Sequence, residues 1–367
     1  MALGPKINPA RAAINDSYYD KGVIIPSVQW RGHSRGGHSA GFMRDNILEI
    51  FTCPDCSAGA PLSLSVDQRE GNDVWAGTLT CPGCARSFPV IRGIPRFVTA
   101  AENYGENFAY EWTRWGRVQI DRFAGHNLST RRFVADTRWP ESWLKGKLIL
   151  DAGCGAGRFA DVAATFGARV IAVDLSGAVE AARENTPGNV EVIQASLLRL
   201  PFRRGVFDGI YCFGVIQHTP DPPKIMSELP SFLKPGGQLA YNFYEADWWP
   251  RLQPIKYALR RFTPSLSHAA LHRLSLLLTI LFFPLSWVLC HIRFVRIINV
   301  MLPICAVHNR ELTIRQQFVW TMLDTFDWYS PRYEIRQVHS TVADILRRGG
   351  LTDVESAPGL AWGRRPE

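Results

Sequence analysis

Short apolar runs alternate with amphipathic stretches between Lys147 and Phe243. The apolar runs are rich in residues that favour β-strands, and they read LILDAG, RVIAVD, VEVIQA, FDGIYCF and GQLAYNF. Between them, GRFADVAATFG, GAVEAARENT and PPKIMSELPSFL have helical spacing. Such alternation indicates a parallel sheet covered on both faces. The sequence therefore predicts an α/β fold with an open, mostly parallel sheet, extended by a helix near 340–349 and a last strand near LTDVESA.

The segments on either side of this core differ in character. Residues 1–42 are irregular and include the Gly-, His- and Ser-rich stretch RGHSRGGHSAG, so we expect a flexible arm. Patterned sequence begins at Met43, a candidate natural start. The other predicted segments are a cysteine-bearing unit (47–98), aromatic-rich connecting helices (99–145), the α/β core (146–245), an apolar and basic insertion (246–310) and the C-terminal part of the core domain (311–367).

A glycine-rich turn follows the first predicted strand. Residues 151–157 read DAGCGAG, and the next helical stretch begins near Arg158. Glycine permits a tight turn and a close backbone approach to a ligand, and the free N–H groups of the helix face whatever the turn holds. The second strand ends in Asp174, whose carboxylate can accept both hydroxyls of a ribose; the competing interpretation is a helix N-cap. This order of elements predicts a nucleotide-type cofactor site.

These residues resemble the class I S-adenosylmethionine-dependent methyltransferases, in particular the group that includes quinone-biosynthesis methyltransferases (methyltransferase type 11). The matching segments are LDAGCGAGRF, VDLS, LRLPFRRGVFDGIYCFGVIQHTPDP and LKPGGQLAYNF. The resemblance covers 145–245 closely and continues weakly to the C-terminus. A hydride-transferring Rossmann enzyme would show GxGxxG spacing, whereas Gly153, Gly155 and Gly157 are evenly spaced.

The resemblance implies which residues bind S-adenosylmethionine. Asp151 and the glycine loop would hold the methionine part, Asp174 the ribose, and Leu175 would border the adenine. Where the family often has an Asp after the third strand, this chain has Ser196, which implies a weaker contact with the adenine amine. The predicted cofactor-binding residues are Asp151, Gly153, Cys154, Gly155, Gly157, Asp174, Leu175, Ser196, Leu197 and Phe213.

Methyl transfer needs little acid–base machinery, because positioning supplies much of the rate, but a base helps when the acceptor is a hydroxyl. His218, in VIQHTPD after the fourth strand, is the candidate base. The alternative is a structural histidine that bonds its loop to Asp221. Tyr244 is a second candidate catalytic residue, and Glu245 beside it faces the same expected acceptor side. A DW-x-x-P-x-Y pattern at 327–333 resembles a segment of bacterial methyltransferases and predicts an element near the acceptor, or plain aromatic packing.

The insertion at 246–310 contains the uncharged apolar run LSLLLTILFFPLSWVLC with basic residues around it. A spanning helix needs about 20 apolar residues; this run is shorter, and Pro284 divides it. A lid of buried helices over the acceptor pocket and a helical segment lying on an anionic membrane are the other interpretations. Both suit a large apolar or lipid-linked acceptor.

Two cysteine pairs have equal spacing. Cys53-Pro-Asp-Cys56 and Cys81-Pro-Gly-Cys84 can together place four thiolates around one ion, a closed set that is typical of structural zinc. Unligated thiols are the alternative. FPVIRGIPRFV resembles the tail of small zinc-ribbon proteins that activate tRNA methyltransferases, and a ribbon also precedes the catalytic domain of a ribosomal-RNA guanine methyltransferase. We therefore expect a Zn²⁺-binding ribbon over 47–98.

Cysteine usage and charge bear on compartment and partner. The other four of the eight cysteines are scattered through apolar sequence, which favours a reducing compartment. Residues 1–22 contain no apolar run after a basic start, so we predict no secretory signal and a cytoplasmic protein, peripheral to the inner membrane face if the insertion contacts lipid. The net charge of +8 favours an anionic partner.

Three functions remain open from the sequence. The leading hypothesis is a methyltransferase acting on a small-molecule or lipid-linked acceptor. An RNA methyltransferase guided by the ribbon is the alternative, supported by the basic charge but not by the ribbon surface, since 47–91 contains only Arg69 and Arg86 as cations. The third is a non-catalytic cofactor-binding partner protein.

Overall fold

A computed structural model describes residues 43–56, 59–98, 106–292 and 295–367; the predicted arm over 1–42 lies outside them. The described chain forms two compact units. The first unit contains the described residues up to Ala246 together with Ser330–Glu367, and the second unit is Asp247–Tyr329. The second unit thus extends past the predicted end of the insertion at 310, because a helix over Ile314–Tyr329 packs on the insertion's long helix.

Four antiparallel strands build the ribbon, and they pair in chain order. They are β1 (Ser63–Glu70), β2 (Asp73–Thr80), β3 (Ser87–Ile91) and β4 (Ile94–Pro95). The two cysteine turns flank the β1–β2 hairpin, which places both CxxC segments at one end of the ribbon.

A seven-stranded sheet forms the core of the first unit, in the order β10-β11-β9-β8-β5-β6-β7. Its strands are β5 (Leu148–Ala152), β6 (Arg169–Asp174), β7 (Val190–Gln194), β8 (Phe207–Phe213), β9 (Leu233–Asn242), β10 (Thr352–Ala357) and β11 (Leu360–Arg364). The five strands from β9 to β7 are parallel, while β11 and β10 add antiparallel pairs at the β9 edge. The predicted mostly parallel sheet is confirmed, and β11 is a strand that the apolar pattern did not reveal.

Helices connect these strands. In the first unit they are α1 (Glu106–Trp115), α2 (Asp121–Ala124), α3 (Leu128–Thr137), α4 (Glu141–Leu144), α5 (Arg158–Thr165), α6 (Ala178–Asn185), α7 (Pro222–Glu228) and α11 (His339–Arg348). Ala-rich α5 and α6 bury residues such as Ala160 and Ala182 at 0% exposure, which lets each helix approach the sheet closely.

The ribbon and the sheet share one hydrophobic core. Phe51 stacks on Phe202 with ring centroids 5.9 Å apart and packs edge-on to Phe97 at 5.3 Å. Arg96 bridges to Gln194 at the end of β7, and its guanidinium donates to the Gln194 carboxamide over 2.8 Å. The ribbon therefore covers the β7 edge of the sheet, an edge that would otherwise present unpaired backbone groups.

The second unit contains α8 (Pro254–Arg260), α9 (His268–Cys290) and α10 (Ile314–Tyr329). Ser267 caps α9 by accepting the Ala270 N–H over 3.3 Å. The helix continues through Pro284, so the expected division of the apolar run is wrong: one missing backbone hydrogen bond is tolerated in a long helix of good helix formers. Helix α9 has 23 residues, and an 18-residue window within it has a mean hydropathy of 1.9, so α9 is long and apolar enough to cross a membrane by length and composition.

Candidate functional site

The strand order places the predicted cofactor residues at the point where the sheet changes direction. From β5 the chain builds β6 and β7 on one side, and later β8 and β9 on the other. The loops after β5 and β8 therefore diverge, and ligands of open α/β sheets bind in the crevice between such loops. The glycine loop follows β5, while Phe213 ends β8 and Gly214 comes next.

The glycine loop needs glycine at two positions for reasons visible in the structure. Gly153 has φ of 96°, and a Cβ there would lie 2.3 Å from Cγ2 of Val215 in the loop after β8. Gly155 has φ of 51°, and a Cβ there would lie 2.9 Å from Nε1 of Trp112. Side chains larger than hydrogen would push both neighbours away and close the crevice. Gly157, with φ of 87°, is the N-cap of α5 and aims the free N–H groups of that helix at the loop.

Asp151 carries a buried carboxyl group at the end of β5. It is 2% exposed, and its Oδ2 accepts no hydrogen bond of normal geometry from the described residues. Burial raises the pKa of Asp151 to about 7; the Tyr211 hydroxyl and the Ala160 N–H oppose this increase, and the nearby charge of Asp174 adds to it. A buried carboxylate fits a cationic ligand such as the methionine moiety of S-adenosylmethionine, and this assignment stays a prediction.

Asp174 ties the second strand to the glycine loop. Its Oδ2 accepts the Gly155 N–H over 2.9 Å, while Oδ1 accepts both the N–H and the hydroxyl of Ser176 at 2.9 and 2.7 Å. Burial nevertheless raises the pKa of this carboxyl group. The competing N-cap interpretation is wrong, because the N-cap of α6 is Gly177 and no side chain caps that helix. The ribose assignment stays a prediction.

The remaining predicted cofactor residues lie at or just after the carboxyl ends of β5, β6, β7 and β8. Gln194 donates to the Leu175 carbonyl over 3.0 Å, and the Ser196 hydroxyl accepts the Leu198 N–H over 3.3 Å. Four side chains are buried: Cys154, Ser196, Leu197 and Phe213. Phe213 packs edge-on to Phe159 at 5.5 Å, so it stiffens the start of the loop after β8. The Ser196 hydroxyl thus accepts a hydrogen bond within its own turn, and its weaker contact with the adenine amine stays a prediction.

His218 lies in a short 3₁₀ turn three residues after Val215 and is 7% exposed. Its Nδ1 is 3.0 Å from the Tyr333 carbonyl oxygen, and its ring packs edge-on to Tyr244 with centroids 5.4 Å apart. The alternative of a bond to Asp221 is wrong, because Asp221 caps α7 by accepting the Lys224 N–H over 3.1 Å. The structure thus brings together His218, Tyr244 and the end of the DW-x-x-P-x-Y pattern.

Glu245 does not point to an acceptor. Its Oε1 accepts the backbone N–H of His339 and lies 3.0 Å from the ring Nδ1 of that residue. Its Oε2 accepts the Gly359 N–H over 3.0 Å. Glu245 therefore joins the end of β9 to α11 and to the β10–β11 turn, and its expected place on the acceptor side is wrong.

Two side chains at the site were not predicted. Gln217 is 0% exposed, and neither its Oε1 nor its Nε2 has a hydrogen-bond partner among the described residues. A buried carboxamide without partners is costly, and a bound ligand would satisfy it. Trp112 of α1 lies against Gly155. Gln217 lies in the VIQHTPD segment and Trp112 in the aromatic-rich segment 99–145, and both segments are recognisable in the sequence. Neither pattern indicated which side chain turns inward.

Three of the four predicted metal ligands converge. The sulfur atoms of Cys53, Cys81 and Cys84 lie within 4.8 Å of one another. Cys56 is outside this group, yet it approaches the same turn: a Cβ placed on Gly83 would be 3.3 Å from the Cys56 sulfur and 3.7 Å from that of Cys81. Thiols gathered on one side of two CxxC turns fit a tetrahedral zinc ion.

Comparison with known families gives one match over the predicted cofactor region and one over the cysteine turns. The Methyltransferase domain family matches residues 150–241, and the Trm112p-like protein family matches residues 44–93. The chain is similar to the ubiquinone biosynthesis O-methyltransferase of Acinetobacter baumannii, 33% identical over 106 residues, which is 27% of this chain and 44% of that protein. The corresponding enzyme of Coxiella burnetii is 32% identical over 105 residues, again 27% and 44%. The chain thus spans less than half the length of the curated relatives it matches.

Solved structures with a similar fold include a S-adenosylmethionine-dependent methyltransferase from Mesorhizobium loti, at 16% identity over 64% of this chain and 96% of that chain, with a TM-score of 0.38. Another is the complex between the Haloferax volcanii Trm112 methyltransferase activator and a putative methyltransferase, at 16% identity over 71% and 99%, with a TM-score of 0.40. The family matches therefore place a methyltransferase domain over residues 150–241 and, before it, a Trm112p-like segment over residues 44–93 that contains the cysteine turns.

Proposed function

We propose that this chain transfers the methyl group of S-adenosylmethionine to a hydroxyl group of a small-molecule or lipid-linked acceptor. The observation that carries the proposal is the position of His218 in the loop that follows β8. Its ring packs against Tyr244, and its Nδ1 lies within hydrogen-bonding distance of the Tyr333 carbonyl oxygen. The similarity to enzymes named as O-methyltransferases of ubiquinone biosynthesis supports a hydroxyl acceptor of this kind.

In this proposal His218 is a neutral imidazole. A carbonyl oxygen only accepts hydrogen bonds, so the tautomer that fits Tyr333 has its proton on Nδ1 and its basic lone pair on Nε2. S-adenosylmethionine supplies an already electrophilic methyl group on a sulfonium. When the cofactor is bound, His218 Nε2 would take the proton of the acceptor hydroxyl as that hydroxyl is methylated. The edge-on Tyr244 ring holds the imidazole in this orientation.

Methyl transfer into fractionated cell extract tests the acceptor class. We expect radiolabel from the cofactor to appear in the lipid-extractable or small-molecule fraction. Label confined to the RNA fraction would overturn the proposal in favour of a ribbon-guided RNA methyltransferase. Absence of S-adenosylhomocysteine production with every fraction, from protein that binds the cofactor, would support a non-catalytic partner protein instead.

His218→Gln tests the base. Glutamine can still donate to the Tyr333 carbonyl but cannot take a proton, so we expect kcat to fall by about 100-fold or more. Cofactor affinity, measured by calorimetry, should stay within about two-fold because His218 is not among the cofactor residues. His291→Gln is the matched control, since it makes the same substitution at an exposed histidine and should leave kcat unchanged. An unaltered kcat in His218→Gln would contradict the assignment.

A further inference from the structure

The second unit exposes an apolar helix surface. Leu277, Leu281, Leu285 and Val288 follow one another at helical spacing on one side of α9, and they are 54%, 59%, 47% and 51% exposed. We call these four residues the apolar face. Ile280 and Ile292 adjoin it at 53% and 47% exposure. Large apolar side chains in a contiguous exposed stripe mark an interaction surface.

The opposite side of α9 is buried and contains polar residues beside Leu271 and Phe283, which are 2% and 5% exposed. Ser275, Thr279 and Ser286 are each 0% exposed. The Thr279 hydroxyl donates to the Ser275 carbonyl over 2.7 Å, and the Ser286 hydroxyl lies 2.8 Å from His308 Nε2. A surface helix in water places apolar residues inward and polar residues outward. The exposed side of α9 is thus more apolar than its buried side, which indicates an apolar environment on its outer side.

The charge of the second unit identifies the environment. From residue 248 to residue 310 the sequence contains no Asp or Glu, and within this stretch Arg251, Arg261, Arg273 and Arg310 are exposed. Exposed cations around an apolar surface match an anionic lipid bilayer, because acyl chains take the apolar side chains and headgroups take the guanidinium groups. Two copies of the same surface would instead bring these cations together and repel.

The packing of α9 sets its orientation in the bilayer. Phe283 packs edge-on to Phe318 of α10 with centroids 5.5 Å apart. Helix α10 also carries Asp324 and Asp327. A spanning α9 would draw these acids toward the hydrocarbon region, which is costly, whereas an α9 lying in the membrane plane immerses only its outer side.

We propose that the second unit binds the surface of an anionic bilayer, with α9 lying in the membrane plane and its apolar face inserted among the acyl chains. This inference goes beyond the proposed function and does not depend on methyl transfer, since binding is measured without turnover. Attachment of this kind would bring a lipid-linked acceptor to the same surface as the enzyme.

Vesicle flotation of the full chain tests the proposal. We expect the protein to float with phosphatidylcholine vesicles containing phosphatidylglycerol, to float less with phosphatidylcholine alone, and to be released as salt rises. The triple variant Leu277→Gln, Leu281→Gln, Leu285→Gln should weaken binding by about 100-fold or more, and Leu281→Gln alone by about 10-fold. Ile91→Gln is the control, because Ile91 is similarly exposed at 46% but lies in the ribbon.

A second pair of variants tests how much the positive charge of the second unit contributes to lipid binding. Arg273→Gln should lower affinity for phosphatidylglycerol vesicles by about five-fold, whereas Arg348→Gln, an equal loss of charge on α11, should leave it unchanged. No flotation of the wild-type protein at low salt overturns the proposal. A concentration-dependent dimer in sedimentation that the triple variant abolishes, without lipid binding, assigns the apolar face to self-association. Resistance of the membrane-bound protein to alkaline extraction assigns α9 to a spanning role and overturns the in-plane orientation.

Discussion

The carboxyl group of Asp151 combines burial with an oxygen, Oδ2, that lacks a donor among the described residues. In an unfolded chain its pKa would be near 3.8, and in the folded protein it is about 7. Between these values the folded state holds a proton that the unfolded state has released, so the free energy of unfolding falls as pH rises from about 4 to about 7. Above pH 7 the folded protein carries a buried carboxylate, which a cationic ligand would stabilise.

Asp151→Asn should separate stability from ligand binding. Without a cofactor at pH 8, we expect the variant to have a free energy of unfolding about 1–3 kcal/mol above that of the wild type, because asparagine is not ionised. The difference should vanish near pH 4, where the wild-type carboxyl group is protonated. Urea unfolding at both pH values measures this.

The same variant should bind S-adenosylmethionine more weakly at pH 8, and wild-type affinity should fall as pH drops below about 7. Asp344→Asn is the control, since Asp344 is 61% exposed and should change neither quantity. Equal stability of Asp151→Asn and wild type at pH 8 would show that the carboxylate is fully satisfied by donors in solution.

At the scale of elements, Glu245 explains how the antiparallel edge of the sheet is held. One carboxylate reaches the start of α11 through His339 and the β10–β11 turn through the Gly359 N–H. The edge strand β10 has no residue that is fully buried, whereas α11 and β11 contribute buried residues to the core. Directed hydrogen bonds from one side chain thus add to apolar packing in holding this edge together.

Glu245→Ala should lower the free energy of unfolding by about 2–4 kcal/mol, since two backbone N–H groups lose a charged acceptor. Hydrogen exchange should show the loss locally, as faster exchange in α11 and β11 with β5 and β6 unaffected. Glu184→Ala, at an exposed position of α6, is the matched control and should have an effect within about 0.5 kcal/mol. Uniformly faster exchange across the sheet would contradict a local role.

At the scale of the whole molecule, the ribbon and the methyltransferase sheet have no separate cores. Phe51 and Phe97 of the ribbon pack with Phe202 from the loop before β8. A metal ion bound by the cysteine turns therefore stabilises more than the ribbon, because loss of the ribbon exposes one side of the sheet core and the β7 edge.

Cys81→Ser should lower the zinc content of the purified protein below one ion per chain and reduce the melting temperature of the methyltransferase domain by about 5–15 °C. Cofactor binding followed during heating reports on that domain directly. Cys290→Ser is the control, because Cys290 lies in α9 and belongs to neither CxxC turn. Unchanged thermal stability of cofactor binding in a zinc-free Cys81→Ser protein would mean that the ribbon and the sheet unfold independently.

Much of the fold followed from local pattern. The five parallel strands, the intervening helices and the glycine turn were all predicted, because strands buried on both faces are continuous apolar runs and a turn with positive φ needs glycine. The cysteine spacing likewise predicted a ribbon, since a CxxC turn by itself directs two thiols to one side. These are properties of segments of ten residues or fewer.

What only the tertiary structure decided depends on contacts between distant segments. His218 contacts Tyr333, and Glu245 contacts His339. Each partner lies about a hundred residues further along the chain, so the local sequence pattern cannot predict the contact. The same holds for the shared core of ribbon and sheet. Composition alone identified the apolar run of 274–290, but it left the outward side of α9 unknown, because a helix that is apolar on nearly every side offers no contrast between its faces to orient it. Packing against α10 oriented it, through the burial of Ser275, Thr279 and Ser286.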